Sequence, residues 1–371
     1  MNENDSNSDR PSSPSDMGVR VYSVCLTILA VIALFAALGY AKALIIPIVF
    51  ALLVSILLRS AVNWLNQRLR FSRALSAAGL MVLMLILLAT IMVYAIQPAT
   101  QWVKELPSKM PEIEYRLSLL LDPLEEVTQA TRKVGNLGND EGSSRVVETE
   151  QNTFPSALLS QTPTAIASVF VTFVLIFFML ASGDKLLRKL VKVLPTIEDK
   201  RRAISIARAV ENKVSRFLGA MTLVNIGLGS AVAVAAYFVG LPHPIVWGFI
   251  AFVLNYIPYL GPFTGAIATS IAGILTFDST LHALAMPAIY IGFNIIEGNF
   301  ITPTVMGKVL TLNPMIVFIS LLLWGWLWGV IGIFLAVPIL AVFKIICDHI
   351  DSLKQIGEFM SDENANPDEA T

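Results

Sequence analysis

Hydrophobic positions in this chain come in long unbroken blocks, not in strand-like alternation. Val21–Gly39, Ala43–Leu58 and Ala74–Ile96 are apolar on every face. At 1.5 Å per residue the first of them reaches ~28 Å, close to the ~30 Å hydrocarbon core of a bilayer. They predict three membrane helices within 19–96, the second bent at Pro47. A fourth is predicted within 164–182, at Ala165–Ser182. Between the third and fourth lies a polar insertion, 97–163. In it Leu106, Met110, Ile113, Leu117, Leu120, Leu124 and Val127 repeat at alternating spacings of four and three. That stripe predicts amphipathic helix, interrupted at Pro111 and Pro123 and either packed on its own protein, laid on the bilayer or touching another subunit. Residues 135–153 predict a flexible loop, and 1–18 a disordered tail.

The C-terminal half, 217–347, has a different texture. Leu218–Val239 is one block, but Phe249–Leu254 and Phe263–Phe277 are half-length pieces around Asn255-Tyr-Ile-Pro-Tyr-Leu-Gly-Pro262. Pro258, Gly261 and Pro262 exclude a regular helix there, which predicts a discontinuous or re-entrant element. His282–Glu297 is the next span. Pro314–Lys344 is too long for one untilted crossing and is interrupted near Trp324–Gly332. Gly325 and Gly329, in GxxxG spacing, predict close helix packing, and the interruption predicts a second hairpin-like element. Residues 348–371 predict an acidic, disordered tail.

Composition settles the class. The chain is 55% hydrophobic and 14% charged, with mean hydropathy +0.70; soluble domains carry roughly 25% charged residues. This is an all-α polytopic membrane protein of about seven to eight membrane segments, with discontinuous or re-entrant elements in its C-terminal half. A net charge of −1 gives no nucleic acid a foothold. Basic residues concentrate in 59–73 and in 183–216, which lie on one side if all four early blocks cross. The positive-inside rule then makes those segments and both termini cytoplasmic and puts 97–163 outside. Within 183–216, Thr196 and Asp199 resemble a capping box. Ile204, Ala207, Val210, Val214 and Phe217 line one face of the helix that follows. Its basic run reads as topogenic, lipid-headgroup charge, with a regulatory docking surface as the lesser alternative.

Cys25 and Cys347 have no disulfide or metal spacing. His243 and His282 read as interfacial loop residues and His349 as a tail residue. A Walker loop, His-Glu-x-x-His and Gly-x-Ser-x-Gly are absent, so neither an enzyme nor a cofactor is expected.

The candidate chemistry lies in Asn294-Ile-Ile-Glu-Gly-Asn-Phe-Ile-Thr-Pro-Thr-Val-Met-Gly-Lys308. A charge at bilayer depth costs at least ~2.5–3.5 kcal/mol, so Glu297 calls for a function or a partner. Asn294 and Glu297, three residues apart, share a helix face. Glu297 is a candidate for binding H⁺ or Na⁺. In the structural alternative it pairs with Lys308 and pins the loop after Pro303, or sits at the interface. Asn225, Asn255, Asn299 and Asn313 add carbonyl oxygens suited to hard cations or hydroxylated solutes, although helix-to-helix hydrogen bonding is the commoner role of such asparagines. Pro258, Gly261, Pro262, Pro303, Gly307 and Gly329 are the candidate helix breaks. Topology places Glu297 near the cytoplasmic end of its span.

Three ordered motifs carry a resemblance. Pro244…Trp247-Gly248…Asn255–Pro262, then Glu297-Gly-Asn…Ile301-Thr-Pro303…Met306-Gly-Lys308…Leu312-Asn-Pro314, then Gly329…Gly332-Ile-Phe-Leu-Ala-Val-Pro338, resemble the autoinducer-2 exporter family of permeases. The layout matches from Val21 to about Leu353. The resemblance implies a bacterial inner-membrane secondary transporter exporting a small polar solute or signal, coupled to H⁺ or Na⁺, and likeness to oligomeric relatives. The alternative reading is a Na⁺(Li⁺)/H⁺ antiporter. A non-transporting membrane scaffold acting through 97–163 or the basic segment is the reading from another class.

Overall fold

The computed structural model describes residues 14–94, 108, 110, 111, 154–183, 185–306 and 312–361. Most of the 97–163 insertion, including its whole stripe except Met110, lies outside the described residues, as do Gly307 and Lys308. The helices are α1 (Pro14–Tyr40), α2 (Lys42–Leu69), α3 (Arg73–Tyr94), α4 (Phe154–Ser182), α5 (Lys185–Val193) and α6 (Ile197–Val239). They continue as α7 (Pro244–Leu254), α8 (Leu260–Thr276), α9 (Thr280–Ile296), α10 (Thr302–Met306), α11 (Pro314–Trp328), α12 (Val330–His349) and α13 (Lys354–Phe359). No strand occurs among the described residues. Five helical segments are long and apolar enough to cross a bilayer, or six if α4 is counted with its bent continuation α5. The all-α, multi-spanning class therefore stands.

Several boundaries run past the apolar blocks. α1 begins at Pro14, inside the stretch read as a disordered tail; a proline at the first helical position lacks only an N–H that would be unpaired anyway. α2 continues to Leu69, so Arg59 and Arg68 project from helix rather than from a loop. α6 fuses the basic segment and the following span into 43 residues, ~64 Å of continuous helix. Thr196 caps it, its hydroxyl oxygen accepting from the Asp199 backbone N–H at 3.0 Å. The reciprocal arm of the expected box differs: the Thr196 hydroxyl donates to the Asp199 carboxylate at 2.5 Å.

Packing is organised around α6. Its lower half joins α2, α11 and α12 in one core containing Val214, Phe217, Leu321 and Leu335. Its upper half joins α7, α8 and α9 through Leu228, Val232, Trp247, Met286 and Tyr290. A third cluster, with Ala51, Ala77 and Ile176, ties α2, α3 and α4 together. Large apolar side chains such as Leu29, Leu83, Ile86 and Phe170 remain exposed, the lipid-facing pattern expected where hydrocarbon replaces water.

The expected second hairpin is present. α11 and α12 turn at Gly329, whose φ of 66° and ψ of −145° belong to a region that only glycine occupies readily. Gly329 therefore makes the corner, while Gly325 of the GxxxG pair packs closely against Ile333 and Gly332 lies under the Trp324 carbonyl. At this tip the Trp328 indole donates to the Leu38 carbonyl at 3.1 Å.

The acidic tail is a correction as far as Ser361. Residues 351–361 fold back, because Met360 is apolar enough to bury in the lower core. The Asn313 N–H donates to the Met360 carbonyl at 3.0 Å. Asp351 meets Lys354 at 2.9 Å and Arg202 at 2.5 Å. A hydrogen bond from Lys354, then the charges of Lys354 and Arg202, hold the Asp351 carboxyl below its ordinary 3.8. A depressed carboxyl stabilises the docked segment above its unfolded value and stops doing so as pH falls through the folded one. Amide exchange across 351–361 is therefore expected to speed up, relative to intrinsic rates, as pH falls below 3.8, and Asp351→Asn is expected to remove that acid dependence.

Candidate functional site

α7 and α8 form a hairpin that enters and leaves at the same end of α6. α7 starts just after Gly240 and runs back along α6. Where the two cross, a Cβ on Gly248 would lie 2.5 Å from the Gly229 carbonyl oxygen and 2.6 Å from Ala233 Cβ. One turn further along α6 and two along α7, the Asn255 amide donates to Asn225 Oδ1 at 2.9 Å, and the Thr222 and Tyr256 hydroxyls meet at 2.8 Å. The chain then reverses at Tyr259, φ 64°. α8 returns past Gly265 and Gly273 to Phe277, beside Gly240. The approach to the tip stays inside the protein, with Asn255 8% and Ile257 7% exposed, whereas Tyr259 and Leu260 at the turn itself are exposed. α7 has eleven residues, ~16 Å of helix against a ~30 Å core, so the element is re-entrant.

Of the residues expected to exclude a regular helix here, only Pro258 lies outside helix, since α8 already begins at Leu260. Pro258 lies in the connection, and Gly261 and Pro262 sit in the first turn of α8, where Gly261 packs directly under the Leu254 carbonyl. Asn225 and Asn255, thirty positions apart, are a buried pair at the tip. Asn225 is fully buried, and its Nδ2 meets no acceptor among the described residues. Removing one member strands the other, at a cost of ~1–3 kcal/mol, whereas replacing both by apolar groups of similar size removes the mismatch. Asn255→Leu is therefore expected to destabilise the protein more than the double change Asn225→Leu/Asn255→Leu. Denaturation midpoints in detergent, read as a double-mutant cycle, check this.

α9 runs antiparallel to α6. The His282 ring nitrogen lies 2.9 Å from the Val239 carbonyl, Met286 and Tyr290 pack with Leu228 and Val232, and Met306 reaches the core around Val214 and Phe217. Asn294 and Glu297 thus fall at the level of the α6 turn that carries Asn225. The span does not end at Glu297, as its apolar block suggested. It continues to Met306 through a π-helical turn, Glu297–Ile301. A proline inside a helix clashes with the carbonyl four residues back, and widening the turn before Pro303 accommodates it.

The π turn makes the site. Thr302 reaches back five residues and donates twice to Glu297, its N–H to the backbone carbonyl and its hydroxyl to carboxylate Oε1. Such a pair does not face in an α-helix. Glu297 remains partly exposed. Asn294 donates to the Tyr290 carbonyl at 2.8 Å, and its buried Oδ1 and the buried Tyr290 hydroxyl, which lies where a Cβ of residue 265 would be, have no partner beyond each other among the described residues. Asn299 is exposed and donates to the Ile295 carbonyl at 2.8 Å. Asn313 lies apart, capping α11 by accepting from the Met315 N–H at 2.9 Å. With Lys308 outside the described residues, so is a Glu297–Lys308 pair.

Sequence reasoning missed Tyr290, Thr302, Thr222 and Tyr256. Tyr290 was within reach, since Tyr290, Asn294 and Glu297 have the 0, 4, 7 spacing of one helix face. Thr302 was not, because only a π turn brings a residue five places on to the carboxylate. Among the described residues no group of three His, Cys, Asp or Glu has a metal-binding arrangement.

The description "AI-2E family transporter" fits a family model that matches residues 26–352. The AI-2 transport protein TqsA of Escherichia coli K12 is 29% identical over 88% of this chain and 91% of its own length. YhhT of the same strain is 26% identical over 87% of this chain and 89% of its own. YrrI of Bacillus subtilis is 30% identical over 47% and 49%. With a matched region that takes in every helix from α2 to α12 and the whole re-entrant site, this chain belongs to the AI-2E transporter family.

Proposed function

We propose that the protein is a secondary transporter that exports a small polar solute of the autoinducer-2 kind across the bacterial inner membrane, driven by H⁺ or Na⁺ exchanged at Glu297. The observation that carries this reading is the π turn, which sets a partly exposed carboxylate within an otherwise apolar helical span. Thr302 steadies one oxygen, and the other has no partner among the described residues. A carboxylate kept at that depth is costly unless a proton or cation compensates it in part of a cycle. The re-entrant tip supports the same reading: it brings irregular backbone and the Asn225–Asn255 pair to the level of Glu297, and broken helices at such depth belong where they line a path or a site. TqsA, named for AI-2 transport, supplies the solute class.

Cytoplasmic N- and C-termini and assembly into oligomers belong to this proposal. The basic segments support the first, since Arg59, Arg73, Arg188 and Arg208 gather at one end of the molecule.

Purified protein in liposomes tests the reading. Autoinducer-2 efflux that follows an imposed pH or Na⁺ gradient supports it. Na⁺/H⁺ exchange that proceeds without organic solute assigns the antiporter instead. Flux no greater than in protein-free vesicles in either assay leaves the scaffold.

A further inference from the structure

We propose that the end of the molecule where the basic segments meet is a binding site for an anionic phospholipid, its phosphate among Arg59, Arg73, Arg188, Lys192 and Arg208 and an acyl chain in the adjoining groove between α2, α4 and α6. The basic part is a cavity of about 620 Å³. Its five cations come from four helices and from the two basic segments, 59–73 and 183–216, so their convergence is a product of the fold. Glu211 is the one carboxylate among the described lining residues, and Arg59 already holds it at 2.8 Å; Asp184 lies outside the described residues. The other four cations meet no carboxylate among the described residues. Like charges brought together repel, and an anion offsets that cost; guanidinium groups suit phosphate because they can donate two parallel hydrogen bonds.

Two further features shape the site for a lipid rather than a free ion. Gly183, at φ +51°, turns the chain from α4 to α5, and the Arg73 guanidinium lies 2.5 Å from where a Cβ would be. The positive φ favours glycine at this corner, and the Arg73 guanidinium fills the space beside it. Next to the basic cavity lies a groove of about 430 Å³, lined by Leu52, Ile56, Leu175, Phe178, Met179 and Ala207. Arg59, Gly183, Leu187 and Glu211 border both. Leu52, Ile56, Leu175 and Phe178 belong to the apolar blocks of α2 and α4, so the groove lies at hydrocarbon depth, with the cations at its polar end. A phospholipid has this same order, a charged head at the interface and a chain below it. Basic pockets between membrane helices bind phosphate headgroups by this chemistry. A free phosphate would use the cavity and leave the groove without a role.

Native mass spectrometry of delipidated full-length protein tests the proposal, with phosphatidylglycerol, zwitterionic phosphatidylcholine and inorganic phosphate as probes. Phosphatidylglycerol is expected to be retained at least ~10-fold better than phosphatidylcholine. Arg188→Gln/Lys192→Gln/Arg208→Gln is expected to erase that preference, and Arg208→Gln alone, on an exposed side chain, to halve it at least. Ala207→Phe, which fills the groove and leaves every cation in place, is expected to weaken phosphatidylglycerol retention several-fold. Equal retention of the two lipids, or an unchanged preference in the charge variants, overturns the site. Displacement of phosphatidylglycerol by equimolar inorganic phosphate, with Ala207→Phe behaving as wild type, overturns the lipid assignment in favour of a free anion.

Discussion

Glu297→Gln is expected to bring gradient-driven flux in proteoliposomes down to the level of protein-free vesicles. Glutamine keeps the size of the side chain and can still accept from the Thr302 hydroxyl, so the π turn and the packing of α9 should survive. What it removes is the ability to exchange a proton or pair with a cation, and with it any driving force collected at this position. Thr302→Val tests the same geometry from the other side. A hydrogen bond to a charged group contributes ~1.5–3 kcal/mol, so losing that donor should lower flux by at least about 10-fold, while the carboxylate and its chemistry remain. Glu297→Asp, one methylene shorter, should fall between the two. Wild-type flux in Glu297→Gln would remove this residue from the mechanism, and a Thr302→Val variant as inactive as Glu297→Gln would show that the turn had collapsed.

Gly248→Val is expected to have the largest effect on stability. The added Cβ meets the Gly229 carbonyl oxygen and Ala233 Cβ. Both belong to α6, which is held on its remaining faces by α2, α9 and α12, so neither can yield as the far end of a flexible side chain would. α7 must lift away. Overpacking a tight contact costs ~1–3 kcal/mol and occasionally more, and here the displaced helix also carries Asn255 away from Asn225. We expect a loss of ~3 kcal/mol or more, with poor recovery from the membrane. Gly229→Val faces the same contact from α6 and should behave alike. Gly227→Ala, two residues away and with nothing within 4 Å of the new methyl, should leave the unfolding midpoint near wild type. An unaltered midpoint in Gly248→Val would mean that α7 is not held against α6 as described.

The two predictions concern parts of the chain that differ in how far they could be read in advance. Apolar blocks longer than a bilayer is thick are a one-dimensional signal, and the sequence was enough to announce the spans of α2, α3 and α6. Pro258 announced a break for an equally local reason, the N–H donor a proline lacks, whereas Gly261 and Pro262, read as part of the same break, open α8 instead. Thr196 and Asp199 announced the start of α6. Even the motif residues that carried the family resemblance are concentrated at these breaks.

Other features needed the fold. That 351–361 docks, rather than trailing as an acidic tail, rests on Met360 finding the lower core and Asp351 finding Arg202 from 149 positions away. That Gly229 and Gly248 matter depends on two backbones meeting, since neither glycine has a positive φ or a turn to mark it. Asn225 and Asn255 were each visible as polar residues in apolar surroundings, but their partnership was not.

By itself, then, the sequence determined that this is a helical, multi-spanning protein with a broken C-terminal half and one conspicuous carboxylate at Glu297. Those properties depend on hydropathy and on backbone chemistry within a few residues. Only the tertiary structure decided that the first break is a re-entrant hairpin whose Asn255 is buried beside Asn225, that Thr302 holds Glu297 across a π turn, and that cations from four helices share one cavity. These rest on helix register and close approach between distant segments, and a pattern along one strand of sequence carries neither.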